Sequence, residues 1–292
     1  MQKTALPFHA TAPSEWIQQL HKELQNQTDL LVFKDHIEGL EIDLTTAHQS
    51  VGIPPKNNTQ WKQVFQLEIE DEVSANKILL AALMQGAAGL LLSSSKNNCD
   101  WTKVLDQIEV AYIDCWIILT DAAQLQQFDQ ANLASKKPAI EFLFNEGEQA
   151  NYFSAFDFQQ IGATISTQLS MVLLGIHRDL EANNNKTKYF FELGLGTQYF
   201  LELSKIRAFR HLLSRLEAIH DIQIQYELIA KTGCANKSLK DPYTNLLRQT
   251  TEAMSAVLGG VNELIVRPYD EYAQSKESDL SNRMALNISN IL

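Results

Sequence analysis

Strand-length apolar runs alternate with helix-length amphipathic stretches from residue 72 onward, and that order leaves few folds open to this chain. The runs are Ala88 to Leu92, Ile113 to Leu119, Ala139 to Phe144, Tyr152 to Phe156, Tyr189 to Leu195, Ile222 to Ile229 and Asn262 to Val266. Helical patterns fill intervals between them over about residues 75–85, 163–182, 197–219 and 241–258, with a last one from about 279 onward. Runs such as Leu90-Leu91-Leu92 and Cys115-Trp116-Ile117-Ile118-Leu119 lack the alternation of a half-wet strand, so they predict strands covered on both faces. Strand, helix, strand in this order predicts a parallel sheet with helices outside. Seven units and a terminal helix predict an α/β fold, a TIM-type (β/α)8 barrel that is incomplete, with seven strand units. An open doubly wound sheet is the alternative, and the chain lacks that fold's glycine-rich dinucleotide fingerprint.

The first 71 residues read differently. Trp16, Leu20 and Leu24 recur every four residues behind Ser14, which predicts an amphipathic helix with Ser14 as its N-cap. Leu40, Ile42 and Leu44 alternate with Glu41 and Asp43, and Phe65, Leu67 and Ile69 alternate with Gln66 and Glu68, each at the spacing of a half-buried strand. Gly52 to Gln60, with its Pro and Asn pairs, reads as a loop. The expected organisation is an N-terminal extension over residues 1–71 and a barrel lacking strand 8 over residues 72–292.

Charge and composition exclude several functions. A formal charge of -11 and a pI near 5.1 argue against a protein built to neutralise nucleic-acid phosphates. No stretch approaches the ~18 consecutive apolar residues of a membrane span, and the first residues lack the apolar core of a signal peptide. The reading is therefore cytoplasmic, without nucleic-acid or membrane partners. Cys99, Cys115 and Cys234 are scattered, which suits a reducing compartment and buried free thiols and gives no metal-ligand spacing.

Local motifs do not name a reaction. Gly194-Leu195-Gly196-Thr197 stands between an apolar run and a helix, either as a turn that needs small residues or as an anion site at a helix start. The helix after it carries Glu202, Lys205, Arg207, Arg210 and Arg215. Glu202 and Lys205 can pair three residues apart on a solvated face, or the cluster can meet a large anionic ligand or an acidic partner. His211 and His220 fall on opposite sides of that helix and cannot share a metal. Gly233-Cys234 and Asp270-Glu271 follow the last two strands, at the barrel end where sites are built, although acidic residues there also serve as helix caps.

A family resemblance rests on longer segments. Phe190 to Ala208, with Glu192-Leu193-Gly194-Leu195-Gly196-Thr197 and Leu203-Ser204-Lys205-Ile206-Arg207 at its centre, resembles a signature of the methylmalonyl-CoA mutase family. So do Asp241-Pro242-Tyr243-Thr244-Asn245 through Thr251-Glu252-Ala253-Met254 to Gly259-Gly260, the Asp270-Glu271 pair, and Asp279-Leu280-Ser281-Asn282-Arg283 to Asn287. The resemblance implies a barrel that binds an acyl-CoA along its axis. It also implies adenosylcobalamin held between the barrel's C-terminal face and a separate cobalamin domain, and a radical interconversion of methylmalonyl-CoA and succinyl-CoA.

The departures from that pattern shape the functional expectation. Phe156-Asp157-Phe158-Gln159-Gln160-Ile161-Gly162-Ala163-Thr164 puts Asp157 where catalytic members carry a histidine that donates a hydrogen bond to the substrate thioester. An ionised carboxylate cannot donate it. The family's substrate-facing tyrosine segment, its acyl-carboxylate arginine and its cobalamin-domain histidine motif have no counterpart that can be followed in this sequence. By the same resemblance Gly233, Asp270 and Glu271 stand at corrin-contacting positions, with Cys234 where an aromatic residue is usual. No catalytic residue and no metal ligand is expected in this chain. The sequence thus resembles the small, non-catalytic subunit of the family: part of an isomerase complex, heterodimeric with a large catalytic subunit, with a homodimer as the alternative in isolation. Adenosylcobalamin is expected at the level of that complex and not tightly bound to this chain. Alternatives are a barrel still binding acyl-CoA or cobalamin as an isomerase of another substrate with a cobalamin domain in trans, and a stand-alone scaffold. If the family's eighth strand lies beyond residue 292, the barrel has a gap between its first and seventh strands.

Overall fold

The computed structural model describes residues 12–25, 27–43, 60–96, 98–129, 133–182, 186–272 and 279–292. The chain divides into two compact units, Met1–Val51 and Gly52–Leu292. In the first, helix α1 (Pro13–Glu23) precedes an antiparallel hairpin of β1 (Val32–Asp35) and β2 (Leu40–Asp43). The helix starts at Pro13 with Ala12 as its N-cap, two residues before the expected start behind Ser14. Proline's fixed φ suits the first helical position and needs no N–H there, so Ser14 falls inside the helix. The expected loop from Gly52 lies outside the described residues except for Gln60.

The second unit is an eight-stranded parallel sheet wrapped almost into a barrel. In chain order it runs β3 (Lys62–Glu68), α2 (Glu72–Met84), β4 (Gly89–Ser93), α3 (Trp101–Val104), β5 (Asp114–Leu119), β6 (Ile140–Phe144) and β7 (Tyr152–Ser154). It continues with α4 (Phe156–Gln160), α5 (Ile165–Glu181), β8 (Tyr189–Leu195), α6 (Tyr199–His220), β9 (Tyr226–Thr232), α7 (Tyr243–Gly259), β10 (Glu263–Ile265) and α8 (Asp279–Ile291). The sheet order is β6-β5-β4-β3-β10-β9-β8-β7, so the α/β barrel expected from the strand and helix order is what the chain forms.

Two details differ from the expectation. The segment Lys62–Glu68, read as part of the extension, pairs with β4 on one side and with β10 on the other, making eight strands instead of seven. It alternates because its axis-facing residues at the two ends, Lys62 and Glu68, sit at the wet mouths of the barrel. The expected opening between first and last strands is closed by that β10–β3 pairing, and the ladder breaks instead between β6 and β7.

Asn151 spans that break. Its Oδ1 accepts from the Phe144 N–H at 2.8 Å and its Nδ2 donates to the Phe142 carbonyl at 2.9 Å. Its own backbone N–H reaches the Phe144 carbonyl, 3.0 Å, and its carbonyl accepts from Phe190 on β8, 2.7 Å. One amide side chain therefore stands in for a missing stretch of ladder.

One residue from each strand fills the barrel axis: Val64, Leu91, Trp116, Leu143, Tyr152, Phe190, Ile229 and Ile265, all buried. Trp116 and Phe190 meet edge to face with ring centroids 6.0 Å apart, and Trp116 Nε1 donates to Glu141 at 2.6 Å. Outside the sheet, one apolar cluster packs β3–β6 under α2 and α3, and another packs β7–β10 under the later helices. Helix α8 joins the halves, with Leu286 in the first cluster and Ala285 and Ile288 in the second.

Candidate functional site at the barrel mouth

The strand ends bring charged groups to the C-terminal mouth. Strands fully buried on both faces have little room for charge, yet β8 carries Glu192 and β9 carries Lys231 two residues beyond the axis-filling Phe190 and Ile229, on the same inward faces. Glu192 Oε1 accepts from Ser154 Oγ at 2.8 Å and lies 3.6 Å from Lys231 Nζ. Burial lifts the Tyr152 hydroxyl well above the usual tyrosine range, with the Glu192 charge adding to it. Burial also draws Lys231 below the usual lysine range, aided by Arg267 and opposed by Glu192 and Asp157.

The next layer is built on one aromatic ring. Lys231 Nζ stands 3.7 Å and Arg267 Cζ 5.3 Å from the Phe156 ring centre, both at cation–π range. Arg267 follows β10, where its backbone N–H donates to Thr232 Oγ1 at 2.9 Å, and its guanidinium forms a two-point ion pair with Glu271 through Nε, 2.6 Å, and Nη2. Beside these groups a cavity of about 660 Å³ opens, lined among others by Gln66, Glu68, Ser93, Lys231, Arg267, Glu271 and Asn282.

The residues singled out from the sequence scatter around this mouth. Asp157 is exposed in the first turn of α4. Glu271 lines the cavity, committed to Arg267. Asp270 is buried. Gly233 backs onto α4: a Cβ there would stand 2.6 Å from Gln159 Oε1 and 2.9 Å from the Leu195 carbonyl oxygen, and the neighbouring Cys234 N–H donates to Gln160 Oε1 at 2.7 Å. The Leu195 backbone carbonyl leaves no room for a side chain at 233. Gly233, Asp270 and Glu271 do not form an open cradle for a corrin: Gly233 is closed in by Leu195 and α4, and Glu271 is held by Arg267.

The cationic helix is also resolved. Lys205 and Glu202 are buried, not solvated: Lys205 Nζ lies 2.5 Å from Glu202 Oε2, donates to Gln168 at 3.1 Å and holds the Gly194 carbonyl. A Cβ on Gly196 would stand 3.0 Å from Glu202 Oε1, so a carboxylate occupies the turn read as a possible anion site. The small-residue reading of that turn is the one the packing supports. Behind Cys234, Glu252 and Lys237 form a buried pair at 2.7 Å, and burial pushes each toward its neutral form. Cys99 and Cys115 are buried thiols, raised by burial to about 11 and about 12. Among the described residues no cluster of three His, Cys, Asp or Glu suits a metal ion, and no helix is long and apolar enough to cross a membrane.

The sequence reading missed Glu192, Lys231, Phe156 and Arg267. The available signal was a charge at an alternate position inside an otherwise apolar strand, as in Tyr189–Leu195 and Tyr226–Thr232.

With this geometry in view, comparison with known proteins is specific. The family model for methylmalonyl-CoA mutase matches residues 130–292, more than half of the chain. The chain belongs to the methylmalonyl-CoA mutase family. It is 30% identical over 167 residues to methylmalonyl-CoA mutase of Rhizobium meliloti, covering 52% of this chain and 23% of that protein. It is 29% identical over 159 residues to the methylmalonyl-CoA mutase small subunit of Porphyromonas gingivalis, covering 53% and 26%. The human mitochondrial mutase is 28% identical over 131 residues, covering 40% and 18%. The matched region thus spans about a quarter of the length of these bacterial mutase relatives. Within this mutase-family barrel the path along the axis is filled by the eight packed side chains centred on Trp116 and Phe190.

Proposed function

We propose that this chain is a small-subunit-like component of an adenosylcobalamin-dependent methylmalonyl-CoA mutase. On this reading it is non-catalytic and supports a large catalytic subunit in a heterodimer. The observation that carries the reading is the packed axis. A pantetheine-sized chain cannot pass where Trp116, Phe190, Leu143 and Tyr152 are each 4% exposed or less. Asp157 strengthens it, because a carboxylate at the mouth cannot donate to a thioester carbonyl while ionised. The small-subunit relative supplies the partner class, and adenosylcobalamin then belongs to the complex. Gly233, Asp270 and Glu271 keep positions that resemble corrin contacts while serving packing and ion pairing in this chain.

The test is turnover. The purified chain is assayed with adenosylcobalamin and methylmalonyl-CoA, alone and with its large subunit. The expected result is no turnover by the chain alone and co-elution with the large subunit on gel filtration. Turnover by the chain alone overturns the proposal, and so does a failure to associate.

A further inference from the structure

We propose that Lys231 is an imine-forming amine, and that the cavity beside it takes a short 2-oxo carboxylic acid. This goes beyond the partner role, which makes no use of Lys231. Three observations carry it. The Lys231 side chain is buried in its strand and borders a cavity of about 660 Å³. Its partner Glu192 stands 3.6 Å away in a loose ion pair, and Glu192 Oε2 is buried with no hydrogen-bond partner among the described residues. Finally, Arg267 lies in the same wall and rests on the same Phe156 ring.

The chemistry follows from those groups. Lys231, drawn toward its neutral form by burial, passes a proton to Glu192 and becomes nucleophilic. Its nitrogen attacks the carbonyl carbon; the N–C bond forms and the carbonyl oxygen takes a proton from that nitrogen, giving a carbinolamine. Glu192 returns its proton to the hydroxyl, the C–O bond breaks, and water leaves. The product is a protonated imine beside an ionised Glu192, so atoms balance and the positive charge on nitrogen is conserved. Glu271 occupies Nε and Nη2 of Arg267 and leaves Nη1 for a ligand carboxylate, which selects an oxo acid over a neutral ketone.

The experiment incubates the full chain with pyruvate and sodium cyanoborohydride and maps reduced adducts by peptide mass spectrometry. The expected result is a saturable adduct on Lys231, formed at lower pyruvate concentration than any adduct on exposed Lys96 or Lys103. Acetone in place of pyruvate is expected to label Lys231 poorly. The Lys231→Arg variant is expected to lose the saturable adduct, and Arg267→Met to raise the pyruvate concentration needed. Mapping on the unmodified chain decides the question even if a variant fails to fold. A bare Lys231 peptide alongside labelled surface lysines overturns the proposal, as does equal labelling by acetone. The readout needs neither the large subunit nor mutase turnover, so it stands or falls apart from the partner reading.

Discussion

Lys205 shows how a single charged residue is made tolerable inside this fold. Its ammonium sits in a nest of acceptors, the Glu202 carboxylate, the Gln168 amide and the Gly194 carbonyl, none of which is adjacent to it in sequence. The spacing of three shows that Glu202 and Lys205 can meet, but burial depends on how β8 and α5 close over them, which no helix pattern displays. Lys205→Met leaves Glu202 charged and unpaired in the interior, at an expected cost of about 3–5 kcal/mol in chemical denaturation. The double variant with Glu202→Gln is expected to recover most of that loss. Glu263 shows the opposite case. It is buried at the N-terminal mouth among Glu227, Asp114, Lys62 and Lys188, and burial followed by the Glu227 and Asp114 charges raises it from 4.5 to about 9. A raised carboxyl holds its proton in the folded state while the unfolded chain has released it. Its contribution to stability therefore falls as pH rises from 4.5 to about 9, and is level outside that window. Glu263→Gln, which mimics the protonated form, is expected to remove that slope and to raise the denaturation midpoint at pH 8. A variant less stable than the parent at pH 8 contradicts this.

At the scale of elements, the strands covered on both faces were the most legible. Leu90-Leu91-Leu92 and Tyr189–Leu195 read directly as buried parallel strands, and the long helices fall within a few residues of their patterns. The alternation of Lys62–Glu68 imitates a sheet with one wet face and so points away from the barrel, whereas both its edges are paired within it. The break beside Asn151 was not legible at all, since nothing local distinguishes an asparagine in a turn from one that spans two strands. Asn151→Ala removes the acceptor for the Phe144 N–H and the donor for the Phe142 carbonyl. An expected loss of about 2–3 kcal/mol follows from leaving those groups unpaired. Hydrogen exchange gives the sharper check: protection at the Phe144 amide should fall before protection in β4 or β5. Asn151→Asp keeps an acceptor for Phe144 and loses the donor to Phe142, so its stability should lie between the two.

For the whole molecule, family membership and function separate along the barrel axis. The outer architecture of the mutase family is kept, and its signature segments build the packing of β8, α6 and α7. Asp157 is the substitution that the sequence makes conspicuous, yet it is exposed and simple to reverse. The packed axis is invisible in the sequence, because it needs one side chain from each of eight strands brought into a single cluster. Asp157→His is therefore expected to restore neither turnover nor acyl-CoA binding, measured by calorimetry with methylmalonyl-CoA, since it supplies a donor at the mouth and leaves the passage filled. Opening the passage requires truncating Trp116 and Phe190 together, each at about 3–5 kcal/mol. Against a total stability of about 5–15 kcal/mol, that pair removes a large share or all of the margin. Tight binding of methylmalonyl-CoA by Asp157→His alone would show that the axis opens without such truncation, and the packed-axis argument for a non-catalytic chain would fail with it.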